Sequence, residues 1–170
     1  MGGRQMNIQN KNWKLAGEKI KEPFHYTGCG LDDVYIISGY DKEETHDGVG
    51  VSIRNIEKLH DAIGKFLING KKVLSGKELR FLRMQMKMTQ SNLARILGCD
   101  TQQVARYEKE ENHVSGPADR LIRLLYSDRV GSKRIPIEKL LKSLDELDDQ
   151  SNKNMVFTQV DSDWRKSATC

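Results

Sequence analysis

Apolar residues recur at helical spacing over much of the chain. Ile56, Leu59, Ile63, Phe66 and Leu67 follow Asn55, a residue suited to an N-cap, and Asn69-Gly70 supplies a stop. Upstream the period changes. Val34-Tyr35-Ile36-Ile37 is a short β-rich run, and Val49, Val51 and Ile53 alternate with Gly50 and Ser52 after the turn signal Asp47-Gly48. These features predict a small antiparallel sheet over about 24–53 carrying one helix. Downstream, Ser75 and Glu78 form a capping-box pair ahead of Leu79, Leu82 and Met86. Thr89 caps a second helix holding Leu93, Ala94 and Leu97 and ending at Gly98. A third spans about 100–109, with Val104 and Tyr107 facing inward. A fourth starts at Pro117 and buries Leu121, Leu124 and Leu125. A fifth starts near Pro136, with Ile137, Leu140, Leu141, Leu144 and Leu147 on one face. Beyond Asp148 the chain is polar except for Met155-Val156-Phe157 and Trp164, which predicts a loosely docked tail.

The expected fold class is α+β: a small N-terminal antiparallel sheet with one helix, followed by an all-α five-helix unit. Residues 1–23 are expected to form a flexible arm, with 13–21 either a short helix or an extended arm. Residues 24–70 form the α+β unit, 75–131 the compact helical unit, and 132–170 a C-terminal helix and polar tail. Lys71 and Lys72 lie in the connection.

Charge adds one distinction. The 170-residue chain carries a net +4, and most of the excess lies in residues 75–131, which hold 10 basic and 7 acidic side chains. That permits a nucleic-acid partner without requiring one. Cys29, Cys99 and Cys170 are scattered and form no CxxC pair, which fits a reducing compartment better than a disulfide framework. No apolar run approaches the roughly 20 residues of a membrane helix. The expected location is cytoplasmic.

The residues around 89–109 carry the most information. Two short helices meet at Gly98, and small Ala94 allows them a close approach, as in a helix-turn-helix. The same spacing also suits any small helical bundle. The residues Leu82-Arg83, Met88-Thr89-Gln90, Leu93-Ala94, Leu97-Gly98, Val104 and Arg106-Tyr107-Glu108 together resemble the phage-repressor (Cro, XRE) type of helix-turn-helix transcriptional regulator. Within that group, Ala105-Arg106-Tyr107-Glu108-Lys109 is close to the pattern of the MqsA-type antitoxins. The segment from Tyr26 to Tyr35, with 48–53, resembles an N-terminal segment of uncharacterised bacterial regulators grouped beside them. The chain departs from the MqsA-type pattern in having no CxxC pairs to hold a structural zinc.

The resemblance implies a role for each position. The helix at 89–97 would cross the backbone of double-stranded DNA, and the helix at 100–109 would lie in the major groove. Gln102 and Arg106, with Gln103 and Thr101, would read base edges, since glutamine pairs bidentately with adenine and arginine with guanine. Gln90 and Thr89, at the start of their helix, and the cations Lys87, Arg95, Lys109, Lys133 and Arg134 would contact phosphates. A polar face, a simple cap and solvated cations remain the plain alternatives for these residues. Arg83 and Glu108 would form a partly buried structural ion pair. The resemblance further implies a homodimer on a palindromic operator, acting as a repressor, with its own operon as one target. A second role it suggests is that of an antitoxin whose N-terminal unit binds a toxin or other protein partner.

No enzymatic constellation emerges. His25 and Cys29 stand four apart, His46 and His60 are isolated, and neither supplies the converging ligands of a metal site. Gly28-x-Gly30 lacks the third glycine and following helix of a phosphate-binding loop. No cofactor or metal is expected.

Overall fold

The structure is a computed structural model that describes residues 23–46, 48–130, 138, 139, 142, 144, 146 and 154–167. The expectations for the arm at 1–22, Asp47, Lys133, Arg134 and most of the helix after Pro136 lie outside these residues. Of that helix, Glu138, Lys139, Lys142 and Leu144 are helical, and Leu144 is buried.

The class is α+β. Strands β1 (Phe24–His25), β2 (Val34–Ile36), β3 (Tyr40–Thr45) and β4 (Gly48–Ile53) precede helices α1 (Ile56–Gly70), α2 (Gly76–Gln85), α3 (Gln90–Leu97), α4 (Thr101–Glu108) and α5 (Gly116–Arg129). Strands β5 (Met155–Val160) and β6 (Asp163–Lys166) close the described chain. The main sheet has the order β1-β2-β5-β6, and β3 and β4 form a separate hairpin.

Three expectations are corrected here. The sheet is not purely antiparallel, because its central pair, β2 with β5, is parallel, with Val34 opposite Met155 and Ile36 opposite Phe157. Nor are 155–166 a loose polar tail, since they supply half of the four-stranded sheet. Met155, Val156 and Phe157 are all almost fully buried. An unbroken apolar triplet is how a central strand covered on both faces reads. Its partner β2 lies far upstream in the chain, so no local pattern could pair them. Residues 75–130 therefore sit between two strands of one sheet. Finally, α5 turns Ile122, Arg123 and Tyr126 fully inward, and the expected Leu121, Leu124 and Leu125 are only half-buried.

Helix α1 packs on that sheet, with Phe66 meeting Phe157 edge to face and Lys166 lying over the Phe66 ring, and its Leu59, Ile63 and Leu67 are fully buried. Asn55 stands at the expected N-cap but does not cap with its side chain. Its backbone is left-handed (φ 51°), and its amide reaches Ser162 O instead. Asparagine tolerates that conformation better than most residues. At the other end Gly70 stays helical and Lys71 is extended, so no left-handed glycine ends α1. Two of the unpaired last-turn carbonyls find a partner from α5. Arg123, fully buried, donates from Nη1 to Leu67 O (2.8 Å) and Ile68 O (3.0 Å). Asp119 pairs with the same guanidinium and also accepts from Leu74 N–H (2.7 Å).

The connection at 71–74 is likewise held by buried charge. Lys71 is buried against Glu78 (2.9 Å) and Asp33 (3.4 Å). Burial works against its ammonium, but the two carboxylates more than offset this and hold it above the ordinary lysine range. Glu78 also completes the capping box of α2 with Ser75.

Helices α1 and α5 touch at Gly64, which faces the ring of Tyr126. A Cβ there would stand 2.1 Å from Tyr126 Oη. That hydroxyl is buried and has no hydrogen-bond partner among the described residues. Gly64→Ala is expected to lower the unfolding free energy by about 1–3 kcal/mol through overpacking. Tyr126→Phe removes an unsatisfied polar atom and is expected to be neutral or stabilising by about 1 kcal/mol. Denaturant titration of both variants checks the pair, and a Gly64→Ala protein as stable as the parent would refute the close approach.

His60 ties α1 to its neighbours on both ring nitrogens, to Tyr26 Oη (2.8 Å) and to Gln85 Nε2 (3.2 Å), with its ring against the edge of Phe81. An amide nitrogen only donates, so His60 Nδ1 accepts in this arrangement and the ring is neutral. Burial lowers the His60 pKa from its usual 6.5, opposed by Asp61 and Glu57. The unfolded state then takes up a proton more readily than the folded one. The resulting stability is present above pH 6.5 and is lost as pH falls through the lower folded value. Unfolding titrations across this window should show that loss, and His60→Gln should flatten it.

Candidate nucleic-acid interface

Three local caps set the pair α3–α4. Thr89 Oγ1 accepts from Asn92 N–H (3.1 Å) to start α3. Gly98 ends it at φ 70°, in the left-handed region glycine favours. Asp100 Oδ1 then accepts from Gln103 N–H (2.6 Å) to start α4. Buried Ala94 lies at the seam and accepts the Gly98 and Cys99 amides.

Helix α4 buries Val104, Tyr107 and Glu108 and leaves Thr101, Gln102, Arg106 and Lys109 exposed. Gln102, Arg106 and Lys109 stand at i, i+4 and i+7, so they share one face. Gln103 is only half-buried and lies to one side. Arg95 on α3 and Lys87 in the α2–α3 turn are exposed.

Behind this face lies a buried charged network. Arg83 and Glu108 meet in a two-pronged pair (Nε–Oε1 2.5 Å, Nη2–Oε2 3.0 Å), and Arg83 Nη1 also donates to Met88 O (2.6 Å). Gln90 donates its amide to Glu108 Oε2 (2.8 Å). One arginine thus joins α2, the turn before α3 and the end of α4, while Gln90 adds α3. The Gln90 side chain expected at a phosphate is partly spent inside the network, which leaves the second N–H of its amide and the main-chain amides of Gln90 and Ser91 for an outside anion, Asn92 N–H being taken by Thr89. Residue spacing gave no hint of the Gln90 link, nor of Arg129 Nη1 clamping Met86 O from α5 (2.6 Å). Gly76 completes the fit, since a Cβ there would stand 1.9 Å from Tyr107 O.

No protein-family model, curated protein or solved structure matches the chain. Among the described residues no three His, Cys, Asp or Glu side chains gather as a metal site requires, and no helix is long and apolar enough to cross a membrane. Burial pushes the Cys29 and Cys99 thiols up, away from the reactive thiolate. A cavity of about 100 Å³ beside α4 is lined by Leu97, Cys99, Tyr107, Pro117, Ala118 and Leu121 with Ser115 and offers little polar chemistry.

Lys87 has an unusual backbone. Its φ of 55° is left-handed, which costs a residue with a Cβ about 1–2 kcal/mol. Lys87→Gly relieves that strain, so stability is expected to hold or rise by up to about 1 kcal/mol. If Lys87 meets a phosphate, the same change lowers the slope of log affinity against log salt by about 0.9. Thermal unfolding and a salt series on bound duplex separate the two effects, and an unchanged slope removes Lys87 from the interface.

Proposed function

We propose that this protein is a sequence-specific DNA-binding transcriptional regulator, a repressor that binds a palindromic operator as a homodimer. The observation that carries the reading is the division of α4 into two faces. Its inner face is locked to α2 and α3 by Arg83, Glu108 and Gln90. Its outer face presents Gln102, Arg106 and Lys109 together. Base reading demands this combination, because side chains must reach the groove from a support that does not yield.

In this reading Arg106 pairs with guanine and Gln102 with adenine, while Thr101 and Gln103 shape the edge of the contact. The amides opening α3, Thr89, Lys87, Arg95 and Lys109 position the backbone phosphates. Glu108 matters indirectly: with the carboxylate gone, buried Arg83 would keep an unpaired charge.

Selection of duplexes from a random-sequence pool provides the test. A single enriched motif with two-fold symmetry is expected. Arg106→Ala should weaken binding to it by about 1–3 kcal/mol and relax the preference at one base pair per half-site. An Arg106→Ala protein that binds the selected duplex as tightly as the parent at matched salt removes α4 as the reading helix.

A further inference from the structure

The turn between α2 and α3 is held from two sides. Lys87 stands at its centre in the left-handed region (φ 55°), a conformation that a lysine keeps only where its surroundings enforce it. The carbonyls on either side of it each accept from a guanidinium. Arg83 Nη1 donates to Met88 O (2.6 Å), and Arg129 Nη1, from the last turn of α5, donates to Met86 O (2.6 Å). The main chain adds Lys87 N–H to Met84 O (2.9 Å) and Met88 N–H to Arg83 O (3.2 Å).

The two arginines are otherwise unlike. Arg83 is buried, and Glu108 takes both its Nε and its Nη2. Arg129 is exposed, and among the described residues it forms no ion pair and its Nε and Nη2 have no partner. One nitrogen fixes the group while the rest of its planar fork stays open. The carbonyl that anchors it belongs to the peptide unit leading into Lys87, which is likewise exposed and in no ion pair among the described residues. Two cations without a carboxylate partner there thus stand at one turn.

We propose that Arg129 is a further phosphate-binding residue, joining Lys87 at the α2–α3 turn to bind neighbouring phosphates of one DNA strand. This rests on the DNA-binding reading above and extends the contact to the end of α5, an element outside the pair α3–α4. An arginine already oriented by a main-chain carbonyl loses little freedom when its open donors take up a phosphate oxygen. The fork geometry suits that acceptor, and the charge strengthens the bond. Fixing the turn from both sides holds the two cations in place before the duplex arrives. Glycine at position 87 would remove the backbone strain but also one of the cations. Strain kept at a well-held turn is the pattern of a site whose geometry serves a ligand.

A salt series of equilibrium binding by the full-length protein, to the selected duplex and to a duplex of random sequence, tests the contact. Arg129→Gln is expected to lower the slope of log affinity against log salt by about 0.9, the loss of one phosphate contact. The parent's advantage over it then shrinks about three- to fourfold between roughly 50 and 200 mM salt. The loss should be equal on both duplexes, because phosphates carry no sequence information, whereas Arg106→Ala should weaken the selected duplex more. Arg129→Lys keeps the cation and should keep the slope. In the double variant with Lys87→Gly the slope losses of the two single variants should add. A slope unchanged by Arg129→Gln overturns the proposal, even where thermal unfolding shows the protein weakened; a carboxylate outside the described residues that neutralised Arg129 would give that result. A loss that disappears in the Lys87→Gly background also overturns it, because Arg129 would then act only by holding Lys87. Both of these results leave the DNA reading standing. If the parent binds neither duplex at low salt, the DNA reading itself fails and the phosphate site falls with it.

Discussion

The buried guanidinium of Arg123 is the contact on which the arrangement of the two halves depends. It stands on α5, yet it satisfies carbonyls at the end of α1, and its partner Asp119 fixes the backbone at Leu74. A charge with no exposed surface is tolerable only where its donors are met, and here all three of its nitrogens have partners. Removing either member would strand the other in an apolar interior. The helical unit and the helix that packs on the sheet are therefore held by the same few atoms, with Lys71, Glu78 and Asp33 repeating the device nearby.

The network behind α4 follows the same logic on a smaller scale. Short helices of eight residues are marginal by themselves. Caps at Thr89 and Asp100 begin them, and Arg83 with Glu108 joins them. The outcome is a face of polar side chains on a rigid base. Rigidity there has a cost in desolvated charge, which is weak evidence for stability but supports a geometry that must not drift.

The hairpin and the main sheet contrast in how they treat their edges. Helix α1 lies against β6, with Trp164 Nε1 donating to Arg54 O (3.1 Å) and Lys58 pairing with Asp163. Strand β3 is guarded by its charges. Strand β4 carries no charge and turns Val51 and Ile53 toward the core.

Most helical boundaries were legible in the residues themselves. Ser75 with Glu78, Thr89, Gly98 and the periodic leucines act within a few positions of where they stand, so local chemistry is enough to announce α2, α3 and α4. The outward face of α4 was legible for the same reason, because residues four apart on a helix share a side. The pairing of Arg83 with Glu108 was anticipated only through resemblance, and the Gln90 and Arg129 links not at all. The β-hairpin announced itself by alternation, but the parallel partnership of β2 and β5 did not. Nothing near Met155 speaks of Val34, and backbone hydrogen bonds between strands carry no side-chain code. Asn55 shows the same limit: its type suited a cap, yet the nearby β5–β6 turn claimed its side chain. Elements thus followed from neighbours in the chain. Sheet order, the buried charge pairs and the attachment of one half to the other depended on residues distant in sequence becoming neighbours in space.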